Sequence, residues 1–412
     1  MMDSATQDHP RRVVITGVGA LSPLGDAPDA IHSALCAGQS GVVETTFEGS
    51  TGLDPLPAGR IDFDPKQYLE GNLRPIDRTG RLVIAAAGLA LEDSGWDAER
   101  RAERPVGLVL GTMYCSVHTI VAFDQRALDA GPKYVRPFDF ANSVINAAAG
   151  QTAIWHGLRG VNSTLAGGTA AGLEALAYAA DLIRSGRSQA IVAGGGDELC
   201  FESCLAFQRG GALSPGDARP FDTRRDGFNP AEGAALFVLE EADAAERRGA
   251  RILAEIHGHA SAYDVSRGTD GASTLATVER TVRLALGDAG LAPTDIDAIS
   301  AGANGARSDA HEAAGLDGAF RDRPTPVPVT AVKSMLGESL GASGAFQTLA
   351  MLESLRSQRL PGIRGFERSD EPWDALSLDS QCRELPMHYG LIHAPGLDGN
   401  HCALVLGRGG RA

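Results

Sequence analysis

The chain has 412 residues, 43% hydrophobic and 22% charged, with a formal net charge of −15. That length and apolar share suffice for a large buried core and allow two or three domains. The acidic balance argues against a nucleic-acid partner and against an anionic membrane surface. Only three lysines occur, Lys66, Lys133 and Lys333, so Lys333 stands apart from ordinary surface cations. Cys36, Cys115, Cys200, Cys204, Cys382 and Cys402 are scattered, and no second Cys/His pair completes a zinc set. They read as reduced, buried thiols of a cytoplasmic protein. The opening MMDSATQDHPRR lacks the apolar run of a signal peptide, and no stretch approaches the roughly 20 apolar residues of a membrane helix. No metal or cofactor is expected.

Val13 to Thr16 carries a buried-strand pattern, followed by Gly17, Gly19 and Gly25 as turn punctuation. Neither G-x-x-x-x-G-K nor a correctly spaced G-x-G-x-x-G occurs there, which excludes a phosphate-binding loop of either kind. A helix is predicted over Leu82 to Ser94 and a strand over Val106 to Leu110. GTMYCS then turns into a helix from about Met113 to Ala127, on which Val117, Ile120, Val121 and Asp124 share a face. Ala170 to Arg184 is a nearly all-apolar helix, hence buried. The strand Gln189 to Ala193 follows and ends in GGGDE.

A second half echoes the first. A strand begins in Arg251 to His257, a helix covers Leu275 to Ala289, and a strand covers Ile296 to Ala301. AAGLEALAYAADLIRSGR, from Ala170, matches GASGAFQTLAMLESLRSQR, from Gly341, when Gly172 is set on Gly344. Each is a small-residue turn feeding a buried helix with a basic last turn. Alternating strands and helices repeated over half the chain predict a duplicated βα unit.

Six segments carry a resemblance. They are VVITGVGALSPLG, RPFDFANSVINAAAG (Arg136 to Gly150), QAIVAGGGDE, ARPFDTRRDGFNPAEGAALFVLEEADAAERRGARILAEI (Ala218 to Ile256), KSMLGESLGASG (Lys333 to Gly344) and GLDGNHCALVL. From Arg12 to about Arg408 the chain resembles the β-ketoacyl synthases. The resemblance implies an α/β fold, the thiolase-like αβαβα five-layer arrangement of two pseudo-repeated halves. It sets those halves at 12–257, with cap insertions, and 258–408.

Ketosynthase chemistry uses a cysteine thiolate at the start of a buried helix and two histidines that polarise the malonyl thioester. Here the cysteine column of the family falls on Thr169, in LAGGTAAGLEAL. The first histidine column falls on Gly302 in SAGANGARSDAHE, a segment one residue short, so Ala301 or Ala303 is an alternative equivalent. The second, in K-S-x-x-G-H-x-x-G-A-x-G, is Glu338. A threonine hydroxyl is a poor nucleophile without a base in reach, glycine has no side chain, and an ionised glutamate repels a malonyl carboxylate. Catalytic residues are therefore not expected. Lys333 and Glu312 match a retained buried pair or network in the family; Lys333 turning to neutralise Glu338 is the alternative. Asp222, Asp226 and Glu232 read as structural, and Cys115 has no histidine motif to serve it.

Family members without the cysteine are chain-length factors. The resemblance implies a heterodimer with a catalytic ketosynthase subunit of a type II polyketide synthase. The chain, delivered by acyl carrier protein, is held on the partner's cysteine and grows into a shared tunnel. Aromatic-pathway versions commonly carry Gln at the cysteine column; Thr169 departs from that and leaves a reduced, polyene-type pathway open. Val117 and Ile120 match the tunnel-gating columns best, with Val121, Asp124 and Met113 beside them. Phe138, in the second interface segment Val135 to Ala147, is a further candidate. Leu397 stands where active enzymes carry a gating Phe. The rival expectation is an acyltransferase or cyclase using Thr169 with Glu338 as base.

Overall fold

The computed structural model describes residues 11–47 and 52–410; the polar segment before Arg11 lies outside them. Five strands build the first half: β1 (Val13–Leu21), β2 (Gly107–Gly111), β3 (Asn162–Leu165), β4 (Ala190–Asp197) and β5 (Gly233–Glu241). Six build the second: β6 (Ala254–Tyr263), β7 (Ala298–Ser300), β8 (Val327–Thr330), β9 (Leu376–Leu378), β10 (Tyr389–Pro395) and β11 (Asn400–Arg408). Their order in space is β9-β8-β7-β10-β11-β6-β1-β5-β4-β2-β3.

The two halves have the same wiring. β1 runs antiparallel to β5, β5 antiparallel to β4, and β2 lies parallel between β4 and β3. Likewise β6 runs antiparallel to β11, β11 antiparallel to β10, and β7 lies parallel between β10 and β8. Val13–Ile15 against Ala254–Ile256 joins the two halves edge to edge. A division at 257/258 falls inside β6.

Parallel neighbours need crossover helices, and these supply the layers. α1 (Arg78–Asp93), α2 (Val117–Ala130), α3 (Pro137–Ala141), α4 (Ala147–His156) and α5 (Ala171–Arg184) belong to the first half. α6 (Gly271–Ala289), α7 (Asp309–Phe320) and α8 (Ser343–Ser357) belong to the second. α1 and α4 cover the outside of the first sheet, and α6 and α7 the outside of the second. α5 and α8 lie between the sheets in one continuous core; α8 is buried at every residue from Ser343 to Leu355. The five-layer αβαβα fold results.

The Gly172 and Gly344 equivalence has a steric cause. A Cβ on Gly172 would stand 2.6 Å from the Gly341 carbonyl oxygen, and one on Gly344 2.7 Å from Leu173 Cβ. Each glycine lies where the opposite central helix approaches.

The helices expected from Leu82 and Leu275 begin four residues earlier, at Arg78 and Gly271, and two further starts move for a visible reason. The helix expected from Met113 begins at Val117, because Asp197, at the end of β4, holds the preceding turn. Its carboxylate accepts the backbone N–H of Met113 (2.7 Å), Tyr114 (3.1 Å) and Cys115 (2.7 Å) and the Thr112 hydroxyl (2.7 Å). Met113 is therefore in a turn, not on the helix face. The strand expected from Arg251 begins at Ala254 and runs to Tyr263, since β11 pairs with it along that whole length.

Candidate active-site cavity

Three loops at the ends of the central elements converge on one cavity of about 230 Å³. Thr169, Gly302 and Glu338 all line it, with Glu312, Lys333, Leu397 and His401. Thr169, Gly302 and Glu338 thus meet in space although 169 positions separate the first from the last. Ala301 and Ala303, on either side of Gly302, are buried in the core of the second half and do not line the cavity.

Thr169 sits in a single turn, Gly168–Ala170, that leads into α5. Gly168 takes φ +61°, a left-handed conformation that costs glycine least. The Thr169 side chain is buried, and its hydroxyl donates to the Pro395 carbonyl oxygen at 2.9 Å. Gly302 is pressed against the same proline: a Cβ there would lie 2.1 Å from Pro395 Cδ. Its backbone N–H donates to Glu312 Oε1 at 2.9 Å.

Glu338 follows Gly337, which turns the chain at φ +81°. The backbone of Glu338 donates to the Asn229 carbonyl (2.8 Å) and accepts from Ala231 N–H (2.9 Å), fixing the loop against the strand-flanking segment before β5. Its fully buried carboxylate is saturated. Oε2 accepts from Lys333 Nζ and Asn304 Nδ2, both at 2.8 Å, and Oε1 accepts from the Ser343 hydroxyl. A charge in a low-dielectric site needs this number of partners.

The expected pairing of Lys333 with Glu312 is not made. Lys333 turns to Glu338, the alternative expectation, because the Glu338 carboxylate lies 2.8 Å from its Nζ. Glu312 pairs instead with His393 Nδ1, at 2.6 Å. Beside it, Asp309 accepts the N–H groups of Gly305 (2.8 Å), Asn304 (3.2 Å) and Phe221 (3.3 Å). Burial, and then the nearby Glu312 carboxylate, push Asp309 up to about 7.

Sequence reasoning missed His393, His401, Asn304 and Ser343. His393 and His401 lie on neighbouring strands β10 and β11, which only the pairing brings together. Asn304 was within the segment read for its glycine; two residues on from Gly302 in a loop lining a cavity is the signal that would have found it.

The remaining candidates fall elsewhere. Val117, Ile120, Val121 and Asp124 share α2, but neither they nor Met113 and Phe138 line this cavity. They belong to a stretch from α2 through α4 rich in exposed apolar side chains. Leu128 is 81% exposed, Phe138 61% and Ile154 84%, with Val121, Tyr134, Phe140, Val144 and Ile145 also exposed. Leu397, in the β10–β11 loop, is exposed at the cavity mouth. Cys115 is buried, and that burial pushes its thiol up to about 12, away from thiolate chemistry. Asp222, Asp226 and Glu232 hold loops: Asp222 takes the N–H of Glu367, Asp226 the Ser214 hydroxyl, and Glu232 the Arg78 guanidinium. Among the described residues no group of His, Cys, Asp and Glu is arranged to hold a metal ion, and no helix is long and apolar enough to cross a membrane.

The description of the β-ketoacyl synthase N-terminal domain matches residues 10–245, and that of the C-terminal domain residues 253–367. The chain is a member of the β-ketoacyl synthase family. It is 34% identical over 414 residues to the tetracenomycin polyketide synthase ketoacyl synthase beta subunit of Streptomyces glaucescens, covering 97% of this chain and 99% of that one. It is 32% identical over 411 residues to a 3-oxoacyl-[acyl-carrier-protein] synthase 2 of Coxiella burnetii, with the same coverage. Among solved structures it is similar to the ishigamide ketosynthase/chain length factor, with TM-score 0.90, 31% identity, and coverage of 98% of this chain and 100% of that one. The fold is therefore the ketosynthase fold, and the chain is similar to ketosynthase-type subunits of type II polyketide synthases.

Proposed function

We propose that this chain is a non-condensing, chain-length-factor subunit of a type II polyketide synthase, paired with a cysteine-bearing ketosynthase. One observation carries the reading: no side chain at the three reactive columns is free to do condensation chemistry. The Thr169 hydroxyl is committed to the Pro395 carbonyl, Gly302 offers only backbone, and Glu338 is saturated by Lys333, Asn304 and Ser343. An acyltransferase or cyclase using Thr169 with Glu338 needs those two to be hydrogen-bonded, and they are not.

Two surfaces support a partner. β3 is the last strand of its sheet, an open edge that can template another chain. The apolar stretch from α2 to α4 exposes more large hydrophobic side chains than a lone soluble subunit usually tolerates. Obligate pairs bury roughly 2,000 Å² or more. The growing chain, attached to the partner's cysteine and supplied by acyl carrier protein, would extend past Val117 and Ile120. Co-expression with the partner ketosynthase tests this. Val117→Phe or Ile120→Phe is expected to shorten the product while leaving the complex intact. Products of unchanged length from an intact complex would refute a role in setting length.

A further inference from the structure

The cavity holds a second set of titratable groups that the lost condensation chemistry does not use. Glu312 Oε1 accepts from His393 Nδ1 at 2.6 Å, and His393 Nε2 lies 3.4 Å from His401 Nδ1. The two imidazole planes are only 24° apart, with centroids 5.5 Å apart, so the rings meet edge to edge through their nitrogens. His393 is fully buried, and His401 lines the cavity.

The hydrogen bonds fix the tautomers. His393 donates from Nδ1 to the carboxylate, so in its neutral form Nε2 is an acceptor. His401 must then donate from Nδ1, which leaves its Nε2 as an acceptor; no protein group among the described residues bonds it. A carboxylate, an imidazole and a second imidazole thus run in series, with Glu312 and His401 on the cavity wall and His393 buried between them.

We propose that Glu312, His393 and His401 form a proton relay that makes this cavity a hydrolytic site for short-chain acyl thioesters. A water molecule attacks the thioester carbonyl carbon, and His401 Nε2 takes its proton as the C–O bond forms. The Nδ1 proton of His401 passes to His393 Nε2. The positive charge then rests on His393, facing the Glu312 carboxylate. The C–S bond breaks, and the leaving thiolate receives the proton returned through His401. Thioester and water give carboxylic acid and thiol, with no other reactant.

Burial, and then the neighbouring His393, push His401 down to about 3, so it does not hold the charge itself. The relay removes that difficulty by moving the proton one residue inward. The charged groups facing the pair are Asp264 and Arg267 after β6, Asp309 and Glu312 on α7, and Lys333 and Glu338 before α8. At about 230 Å³ the cavity is smaller than the roughly 300–1,000 Å³ of drug-sized sites, which selects short acyl groups. His401 is the catalytic residue; His393 and Glu312 act through it.

The proposal does not rest on the chain-length reading, because hydrolysis and product length are read separately. The full chain, with any co-purifying ketosynthase carrying alanine at its cysteine, is given S-acetyl-N-acetylcysteamine. Thioester absorbance is followed from pH 6 to 9. Turnover above buffer is expected, falling at least tenfold in His401→Asn and in Glu312→Gln, with a changed pH profile in the latter. Equal rates in wild type and His401→Asn overturn the proposal. Independently, imidazole nitrogen NMR of the wild-type chain is expected to show neutral His401 protonated at Nδ1. A proton on Nε2 overturns the relay even where the variants do not fold.

Discussion

Lys333 Nζ lies 2.8 Å from Glu338 Oε2, with both side chains almost wholly removed from solvent. The Glu338 carboxylate therefore depends on a cation five residues before it. A carboxylate stripped of its only charged partner in such a site has nowhere to place its charge.

Lys333→Met is accordingly expected to cost about 3–5 kcal/mol, the usual effect of orphaning one member of a buried ion pair. The double variant Lys333→Met/Glu338→Leu should cost less than the single one, because it removes the uncompensated charge as well. Urea unfolding of the wild type, both single variants and the double variant closes the cycle. Additive losses would show that the pair is not coupled.

Restoring the family's reactive groups is expected to fail at position 302. A Cβ there already meets Pro395 Cδ at 2.1 Å, so Gly302→His must displace the β10–β11 loop. Thr169→Cys/Gly302→His/Glu338→His is predicted to be less stable than the wild type and to give no elongation in a malonyl-thioester assay. Thr169→Cys alone is expected to remain inactive in condensation, since Glu338 stays saturated by its three donors. Turnover by the triple variant near that of an ordinary ketosynthase would show that the backbone still fits the old chemistry.

Much of this was legible in the sequence, and the exceptions share a cause. The duplication was visible because Gly172 and Gly344 each meet the opposite central helix, a constraint that leaves a mark in both repeats. The altered columns were visible because the glycine-rich frames around Thr169 and Glu338 set the turns that hold them. The partner of Lys333 was not fixed, because Glu338 is close in sequence while Glu312 comes near only through the fold, and the chain alone does not say which carboxylate Lys333 meets. His393 and His401 were missed because they touch through antiparallel pairing of β10 with β11, a register that no local pattern specifies. The start of α2 was misplaced because Asp197, more than eighty residues away, takes the N–H groups of residues 113–115 that would otherwise open the helix.

Several buried groups make stability depend on pH from both sides. Glu198, raised to about 8, and Asp309 and Glu174, each raised to about 7, keep protons in the folded chain, burial being the main cause in all three. Their folded values lie above the unfolded ones, so the stability they lend is present in acid and lost as pH rises through about 7–8. Burial lowers His32 to about 4 and His401 to about 3. Their stability is present above about 6.5 and lost as pH falls toward 3–4. The urea midpoint is therefore expected to peak between about pH 4.5 and 6.5 and to decline toward pH 8.5. Glu198→Gln, which keeps an acceptor for the His118 N–H, should flatten the alkaline decline. A midpoint that rises steadily from pH 6 to 8.5 would contradict this balance.

The apolar stretch beside the open edge of β3 gives the last prediction. Ile154, on the solvent side of α4, is 84% exposed in the single chain, while its helix neighbours Ala147, Ala148 and Ala149 are buried. An aliphatic side chain so exposed, near an unpaired strand edge, adds little to the lone subunit and stabilises a complex whose partner covers it. Ile154→Glu places a charge where a partner's apolar surface would have to desolvate it. The substitution should leave the fold of the subunit unchanged, because Ile154 contributes little to the core. It should weaken association with the partner ketosynthase at least about tenfold, a loss of roughly 1.4 kcal/mol or more. Size-exclusion chromatography of co-expressed subunits, with circular dichroism of the separated chain, distinguishes a lost interface from a lost fold. Undiminished co-elution of the Ile154→Glu chain would place the interface elsewhere on the molecule.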